Sequence, residues 1–173
     1  AWISLGLQSG SDRTCKEIYK RKSLKSDFLG AAQIIKDFNL APFYDVILDN
    51  PFENEQDNLE TIDTFIKTPK PFFAQFLSLV FYQGTDIYKM AQDKYPQRIN
   101  DYLNKNYLIL QNKTVNKLIR LAAFVEKGLM TKLFSLYKNN PNGITFKSYF
   151  VIVNLLAVVY YEPVAYFRVI KIS

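Results

Sequence analysis

One short apolar run near the start of the chain ends in a polar tip. The run spans residues 2–7 and is followed by Gln8 and Ser9. Side chains alternate along a strand, so Gly6 and Gln8 share one face, and the small glycine leaves room above it for a ligand. Parallel α/β barrels place their ligands at the C-terminal ends of their strands. The spacing therefore makes Gln8 a candidate binding residue.

A second apolar run carries a carboxylate in its interior. Residues 43–48 are typical of a buried strand, in which Asp45 and Ile47 share a face. An ionised carboxylate is costly to bury unless a partner compensates it, which makes Asp45 a second candidate. The alternative is that Gln8 and Asp45 only satisfy amides of neighbouring loops, and their spacing alone favours that alternative.

Two residue types exclude some chemistry within the chain. It has no histidine, which excludes histidine acid–base catalysis and histidine metal sites. Its single cysteine, Cys15, excludes an internal disulfide and is expected to be a packed side chain on an amphipathic helix rather than a ligand. The cysteine usage and the lack of any signal-peptide pattern favour a cytoplasmic location.

The candidate residues belong to strands that alternate with helices. The pattern predicts strands at residues 2–7, 43–48 and 72–81, and helices from about residue 11, at 26–38, at 55–67 and around Ile87 and Met90. This alternation predicts a parallel α/β sheet with right-handed crossovers and strands paired in chain order. We expect Gln8 and Asp45 to point away from the helices and to lie within a ligand's width of each other.

From about residue 100 the pattern is helical, with a plain break at residues 139–143. We therefore predict two regions: residues 1–95, which hold the sheet, and residues 96–173, a mainly helical extension. The longest apolar stretch, residues 149–161, is interrupted by Asn154 and is shorter than the ~20 residues that a membrane-spanning helix needs. We expect a core helix or a docking surface there, and no transmembrane segment.

The chain is basic, with a net charge of +6 and a pI of about 9.2. This balance is compatible with a nucleotide, RNA or an acidic membrane surface as a partner. The lysines are dispersed, however, and the densest run, residues 20–25, is brief. Their dispersal favours an ordinary solvated surface, and nucleic acid is not expected as a partner.

Four segments together resemble a known family. They occur in order over about residues 1–91, and they closely resemble the later barrel strands of radical S-adenosyl-L-methionine (SAM) enzymes. The resemblance is closest to the subgroup that often carries an N-terminal cobalamin-binding domain, and next closest to the methylthiotransferases. The segments are Ile3-Ser4-Leu5-Gly6-Leu7-Gln8-Ser9-Gly10-Ser11-Asp12-Arg13, Tyr19-Lys20-Arg21, Tyr44-Asp45-Val46-Ile47-Leu48-Asp49-Asn50-Pro51-Phe52-Glu53 and Phe76-Leu77-Ser78-Leu79-Val80-Phe81-Tyr82-Gln83-Gly84-Thr85.

The resemblance implies a partial parallel (β/α) barrel of the TIM-like radical SAM type, followed by the helical extension. In this family a 4Fe-4S cluster, held by a CxxxCxxC loop, binds SAM and cleaves it to a 5′-deoxyadenosyl radical. The resemblance places Gln8 and Ser9 at the ribose and methionine end of SAM, Arg21 at its carboxylate and Asp45 at a ribose hydroxyl. The alternative for Arg21 is a solvated arginine at a helix end.

The chain departs from the family in having no CxxxCxxC loop and three predicted strands where the family barrel usually has six. We expect it to be the C-terminal portion of a radical SAM oxidoreductase or transferase, inactive by itself. Its cluster ligands, and any cobalamin domain, would lie outside this segment. Its partners would be the missing N-terminal half of the barrel and a small-molecule substrate of unknown identity. The alternatives are a non-catalytic truncated barrel that acts as an interaction scaffold, and an RNA-modifying, methylthiotransferase-like enzyme.

Overall fold

Three parallel strands and their crossover helices form the first half of the chain. The computed structural model describes residues 2–172, so that Ala1 and Ser173, the outer ends of the two predicted regions, lie outside the described residues. Strands β1 (Trp2–Gln8), β2 (Ala41–Leu48) and β3 (Phe73–Ser78) form one sheet in the order β1-β2-β3, and both pairs are parallel. The predicted parallel α/β arrangement and strand order are confirmed.

Helices connect the strands on one side of the sheet. A π-helical turn (Thr14–Ile18) and α1 (Lys25–Asp37) lie between β1 and β2, and α2 (Glu55–Lys67) lies between β2 and β3. The predicted helix from about residue 11 is therefore this short π-helical turn. Helix α2 begins with a capping box, because Asn54 accepts from the Asp57 amide while Asp57 accepts from the Asn54 amide.

The third strand is shorter than the predicted residues 72–81. Beyond Ser78, the amide of Leu79 still bonds to the Leu48 carbonyl at 2.9 Å, but the Phe81 amide turns to the carbonyl of Tyr102 at 3.2 Å. The chain leaves the sheet there and continues into α3 (Asp86–Lys94), which begins at the Thr85 cap.

The second half of the described chain is helical, as predicted, and its break at residues 139–143 separates two helices. A 3-10 turn (Pro96–Arg98) and α4 (Ile99–Leu103) precede α5 (Thr114–Phe124) and α6 (Lys127–Asn139). Then α7 (Ile144–Leu156), a π-helical segment (Ala157–Tyr161) and α8 (Glu162–Ile172) follow one another without interruption. We call these three together the C-terminal helix.

The main hydrophobic core lies between the sheet and the helices. From β2, Tyr44 and Val46 are fully buried on the helix-covered face, where the Tyr44 ring contacts those of Phe28 in α1 and Phe72. The same core continues through α2 into α5, α6 and the C-terminal helix, so that it includes side chains from both predicted regions. The predicted boundary between residues 95 and 96 is therefore not a gap in packing.

A second, smaller core lies beyond the C-terminal ends of the strands. It joins the loops that follow all three strands, because Ile18, Phe52 and Phe81 are buried in it together with side chains of α3 and α4. Aromatic contacts dominate it: the rings of Phe81 and Tyr102 are stacked at 4.7 Å between centroids. This core holds the loops that surround the candidate site.

Candidate functional site

The face of the sheet opposite α1 and α2 carries a polar row across its middle. Gly6 of β1 pairs with Asp45 of β2, which pairs with Gln75 of β3. Residues paired in this way present their side chains to the same face. The fully buried Tyr44 and Val46 occupy the opposite, helix-covered face, and so Asp45 lies on the side expected from the sequence.

Gln8 reaches this row because its backbone has an unusual conformation. Its φ of 64° is left-handed, and the pairing between β1 and β2 shifts register between Gly6 and Gln8. Its side chain folds back over Gly6, where a Cβ atom would overlap the Gln8 amide nitrogen. The Gln8 amide thus lies over Gly6, the residue of β1 that pairs with Asp45. A side chain at position 6 would displace the Gln8 amide from this place.

The carboxyl group of Asp45 is incompletely satisfied. Its Oδ1 atom is buried and has no hydrogen-bond partner within the part of the chain that the structure describes. Burial raises the pKa of Asp45 above the ordinary aspartate value. Among residues 2–171, no charge or hydrogen bond offsets the effect of burial on Asp45, which suits a group whose partner is an external hydrogen-bond donor.

A cavity of about 320 Å³ lies at the C-terminal ends of β2 and β3, lined by residues that follow the polar row; neither Asp45 nor Gln8 is among its lining residues. Ile47 and Leu77, which pair with each other two residues beyond Asp45 and Gln75, form its floor. Its volume lies at the lower end of the range for small-molecule sites, and most of its lining is apolar and aromatic. Its wall also includes Tyr19, Tyr82 and Tyr107 from loops and Ile87 from the first turn of α3.

Ser9 lies in a buried network rather than beside Asp45. Its hydroxyl donates to Glu53 Oε1 at 2.7 Å and lies 3.4 Å from Thr61 Oγ1. The loop packs so closely on α2 that a Cβ atom at Gly10 would lie only 2.5 Å from the Thr61 Cα. Burial raises the pKa of Glu53, although the bond from Ser9 opposes that rise. The Ser9 side chain is thus already engaged within the protein.

Ser11 and Arg13 continue this network to the first turn of α2. The hydroxyl of Ser11 donates to Asp57 Oδ1 at 2.6 Å, and the guanidinium of Arg13 forms an ion pair with the same carboxylate. Burial disfavours ionised Asp57, but the bonds from Arg13 and Ser11 outweigh it and hold the pKa of Asp57 below its usual value. These contacts fix the loop that carries Gln8.

Arg21 lies on the surface near the cavity wall. Its side chain is exposed, and its backbone amide donates to the Cys15 carbonyl at 2.8 Å. Its charge acts weakly on Tyr19, a wall residue of the cavity, where it opposes the rise in the Tyr19 pKa that burial causes. Arg21 is therefore near the cavity but is not drawn into it by any bond within the described chain.

Cys15 is a packed side chain, as expected. It is 2 % exposed, its thiol donates to the Ser9 carbonyl at 3.4 Å, and burial raises its pKa. A raised pKa disfavours the thiolate that a metal ligand needs. Across the described residues no group of three or more potential ligands lies together. These residues do not fit an iron–sulfur cluster.

A further carboxylate, Asp49, links β2 to distant parts of the chain. Its oxygens accept from the Ser78 hydroxyl at 2.6 Å, the Gln111 amide at 3.0 Å and Asn116 Nδ2 at 2.8 Å. Burial disfavours its ionised form, but these bonds outweigh burial and hold the pKa of Asp49 below its usual value. Asp49 is thus a structural residue that fixes the segment bearing Tyr107 over the cavity.

Sequence reasoning missed several residues of this site. Gln75 is recognisable in the sequence only as a polar residue inside an aromatic strand, two residues before Leu77 and therefore on the same face of that strand. Tyr19 and Tyr107 lie in loops, where no periodicity predicts direction. The partners of Asp49 are up to 67 residues away in sequence. Only the polar position of Gln75 offered a usable signal.

The fold and the site together define a class of structure: a parallel α/β sheet with a ligand-sized cavity at the C-terminal ends of its strands. The chain matches no protein-family model and no curated protein sequence.

Proposed function

We propose that this chain is the C-terminal portion of a radical SAM enzyme and holds part of SAM in the cavity at the C-terminal ends of β2 and β3, where Asp45 and Gln8 would contact it. The observation that carries the proposal is the buried Asp45 Oδ1, which has no hydrogen-bond partner within the described residues, on the strand face where the next residue, Ile47, lines the cavity. A ribose hydroxyl is the kind of donor that an ionised carboxylate accepts from. The apolar floor of Ile47 and Leu77 suits the flat face of a nucleoside base.

The roles of the other site residues follow from their surroundings. The Gln8 amide can both donate to and accept from a polar ligand. Arg21 is exposed and near the wall, so its forked guanidinium is free to swing toward a carboxylate. Ser9 keeps its proposed place near the ligand, although its hydroxyl, its amide and its carbonyl are all hydrogen-bonded within the protein, to Glu53, Leu7 and Cys15.

The iron–sulfur cluster is assigned to residues outside this segment, because the single buried cysteine does not fit it. In the intact enzyme the cluster would supply the electron that cleaves SAM. The edge of β1 that faces away from β2 supports further strands, since within the described sheet β1 pairs with β2 alone. Cobalamin enters the proposal only through the resemblance to the subgroup that often binds it.

The proposal predicts the effect of removing the Asp45 carboxylate. In the intact enzyme, reconstituted anaerobically, Asp45→Ala should weaken SAM binding by about tenfold or more, since a hydrogen bond to a charged group is lost. Equilibrium dialysis with labelled SAM measures this. Asp37→Ala, which removes an exposed carboxylate at the end of α1, is the matched control and should bind SAM normally. Unchanged affinity in Asp45→Ala would remove Asp45 from the site.

Activity separates the enzyme from the interaction scaffold, the second candidate. The scaffold is favoured by the internal engagement of the Ser9 hydroxyl and by the burial of Cys15. The reconstituted intact protein should release 5′-deoxyadenosine in the presence of a reductant, whereas the 173-residue chain by itself should not. Rapid release by the chain alone would contradict the argument, and an intact protein that released none would favour the scaffold.

A further inference from the structure

The C-terminal helix exposes an apolar surface that the rest of the described chain does not cover. Of the nineteen large apolar side chains that are exposed in residues 2–171, eleven lie between residues 144 and 170. Val151, Leu155 and Val158 recur at helical spacing and are 57 %, 60 % and 57 % exposed. They form an outward stripe, to which Ile144 at 84 % exposure adds one end. A surface of this kind marks an interaction site.

The opposite side of the same helix is packed into the protein. Phe146, Val153 and Ala157 are at most 4 % exposed and belong to the main core. Farther along, Val169 is fully buried and the Tyr166 ring contacts that of Phe73 in β3. The helix is therefore apolar on both sides, with one side already used.

This helix is longer than the apolar stretch of the sequence indicated. Residues 144–171 form 28 consecutive helical residues. Their most apolar window has a mean hydropathy of 1.7, and 17 % of that window is buried. By length and composition alone, this helix could cross a membrane. The expectation of no transmembrane segment was based on the length of residues 149–161, and the helix is longer than that stretch. A helix that spanned a bilayer would have to withdraw Val153 and Val169 from the core. The packing favours a helix that lies along a surface.

The charge of the chain is concentrated around this helix. Residues 127–173 contain six of the lysines and arginines but only one acidic residue, Glu162, and so carry five of the six net positive charges. All six basic side chains are exposed. The ammonium group of Lys132 in α6 lies 5.1 Å from the Tyr149 ring centroid, which places α6 charge against α7. The six are Lys127, Lys132, Lys138, Lys147, Arg168 and Lys171.

We propose that the C-terminal helix docks in the plane of an anionic lipid surface, with Val151, Leu155 and Val158 inserted among the acyl chains. An apolar helical face bordered by lysines and arginines is the pattern of an interfacial helix. The basic residues select the occupant, because a water-soluble protein partner needs no such excess of positive charge, whereas anionic headgroups attract each nearby cation. The proposal does not depend on SAM binding.

Co-sedimentation of the 173-residue chain with vesicles tests this. The chain should bind vesicles that contain 30 mol% phosphatidylserine in phosphatidylcholine at least about tenfold more tightly than vesicles of phosphatidylcholine alone. Equal affinity for both compositions would overturn the proposal. Each of Lys147→Gln and Lys171→Gln should weaken binding to the anionic vesicles by about fivefold.

Apolar variants separate insertion from simple charge attraction. The double variant Val151→Gln/Leu155→Gln should weaken binding to anionic vesicles by at least about tenfold. Its matched control is Ile34→Gln/Phe38→Gln, which changes two exposed apolar residues on and next to α1 and should bind as the unmodified chain does. Circular dichroism establishes that each variant is folded. If the Val151/Leu155 variant bound normally while the lysine variants did not, insertion would be refuted.

Two further outcomes would give the helix another occupant. Light scattering that showed a dimer abolished by Val151→Gln/Leu155→Gln, without vesicle binding, would assign the stripe to a second copy of the chain. Bound chain that resisted extraction from the vesicles by alkaline carbonate would indicate a spanning helix. Either result would overturn the in-plane proposal, whereas release by carbonate supports it.

Discussion

Asp45 carries a free-energy cost that packing alone does not explain. Its buried Oδ1 atom has no partner within the described chain, and its pKa is raised by burial. Asp57 and Asp49 are also buried carboxylates, but both are compensated by hydrogen bonds that lower their pKa values. The pKa of Glu53 is also raised by burial, but its carboxylate accepts from Ser9, so Asp45 differs from the other three carboxylates in having a buried oxygen without a partner among the described residues.

We expect Asp45→Asn to stabilise the chain at neutral pH. A raised pKa in the folded state means that ionised Asp45 costs stability above that pKa, and that the cost disappears as the pH falls below the unfolded-state value of about 3.9. Removing the charge should therefore raise the free energy of unfolding by roughly 1 kcal/mol at pH 7. The gain should vanish near pH 3.

Urea unfolding at the two pH values measures this difference. Asp37→Asn changes an exposed carboxylate at the end of α1 and should alter the free energy of unfolding by less than about 0.5 kcal/mol at either pH. A loss of stability in Asp45→Asn at pH 7 would mean that the carboxylate has an internal partner after all.

Strand β2 is the element that joins the site to the rest of the molecule. Its last residue is followed by Asp49, whose φ of 59° is left-handed and whose side chain gathers donors from β3, the 106–113 segment and α5. A short polar side chain such as Asp tolerates this backbone better than most residues do. One residue thus fixes both a turn and three distant connections.

Asp49→Ala should lower the free energy of unfolding by about 3 kcal/mol, because it leaves buried donors of Ser78 and Asn116 unpaired and strains the backbone. Asp49→Gly removes the same bonds without the strain and should cost about 1 kcal/mol less. Since the pKa of Asp49 is lowered in the folded state, the bonds contribute fully above about pH 4 and are lost as the pH falls through the folded-state pKa. Chemical unfolding of the two variants against pH tests both parts; equal losses in Ala and Gly would contradict the strain.

The sequence alone predicts the elements whose boundaries are set by residues within or next to the element itself. Helix α2 has its predicted bounds of residues 55–67, because its capping box and its apolar spacing both lie within it. The turn at Gln8 could not be predicted, since its left-handed backbone depends on contact with Gly6 and on the pairing with β2. The C-terminal helix was underestimated because Asn154 and Pro163 interrupt its apolar pattern. A π-helical segment directly before Glu162 widens the turn and accommodates that proline.

At the scale of the whole molecule, the sheet has an open edge. Within the described sheet β1 pairs on one side only, and Trp2 and Ile3 are 49 % and 36 % exposed. Unpaired edges with apolar side chains promote association through added strands. The sheet is therefore able to accept the further strands that the proposed barrel requires, and in their absence it is able to accept another copy.

We expect the 173-residue chain to associate with rising concentration through this edge. Ser4→Lys places a charge at an exposed position of β1 and should shift association to at least about tenfold higher concentration, since lysine on an edge strand opposes pairing. Ser26→Lys adds the same charge on exposed α1 and is the control. Light scattering over a concentration series measures the effect. Equal shifts in both variants would attribute the change to net charge instead of the edge.

The main hydrophobic core is shared by the sheet and the C-terminal helices, which limits where the gene could be divided by recombination. Helix α2 contributes Ile62 and Phe65 to the same core that receives Leu118 and Ile119 of α5, so neither the sheet nor the C-terminal helices has a complete interior of its own. A recombination breakpoint near residue 95 would divide this interior and expose both halves to water. The sheet region and its helical extension should therefore be inherited as one unit through gene fusion and rearrangement.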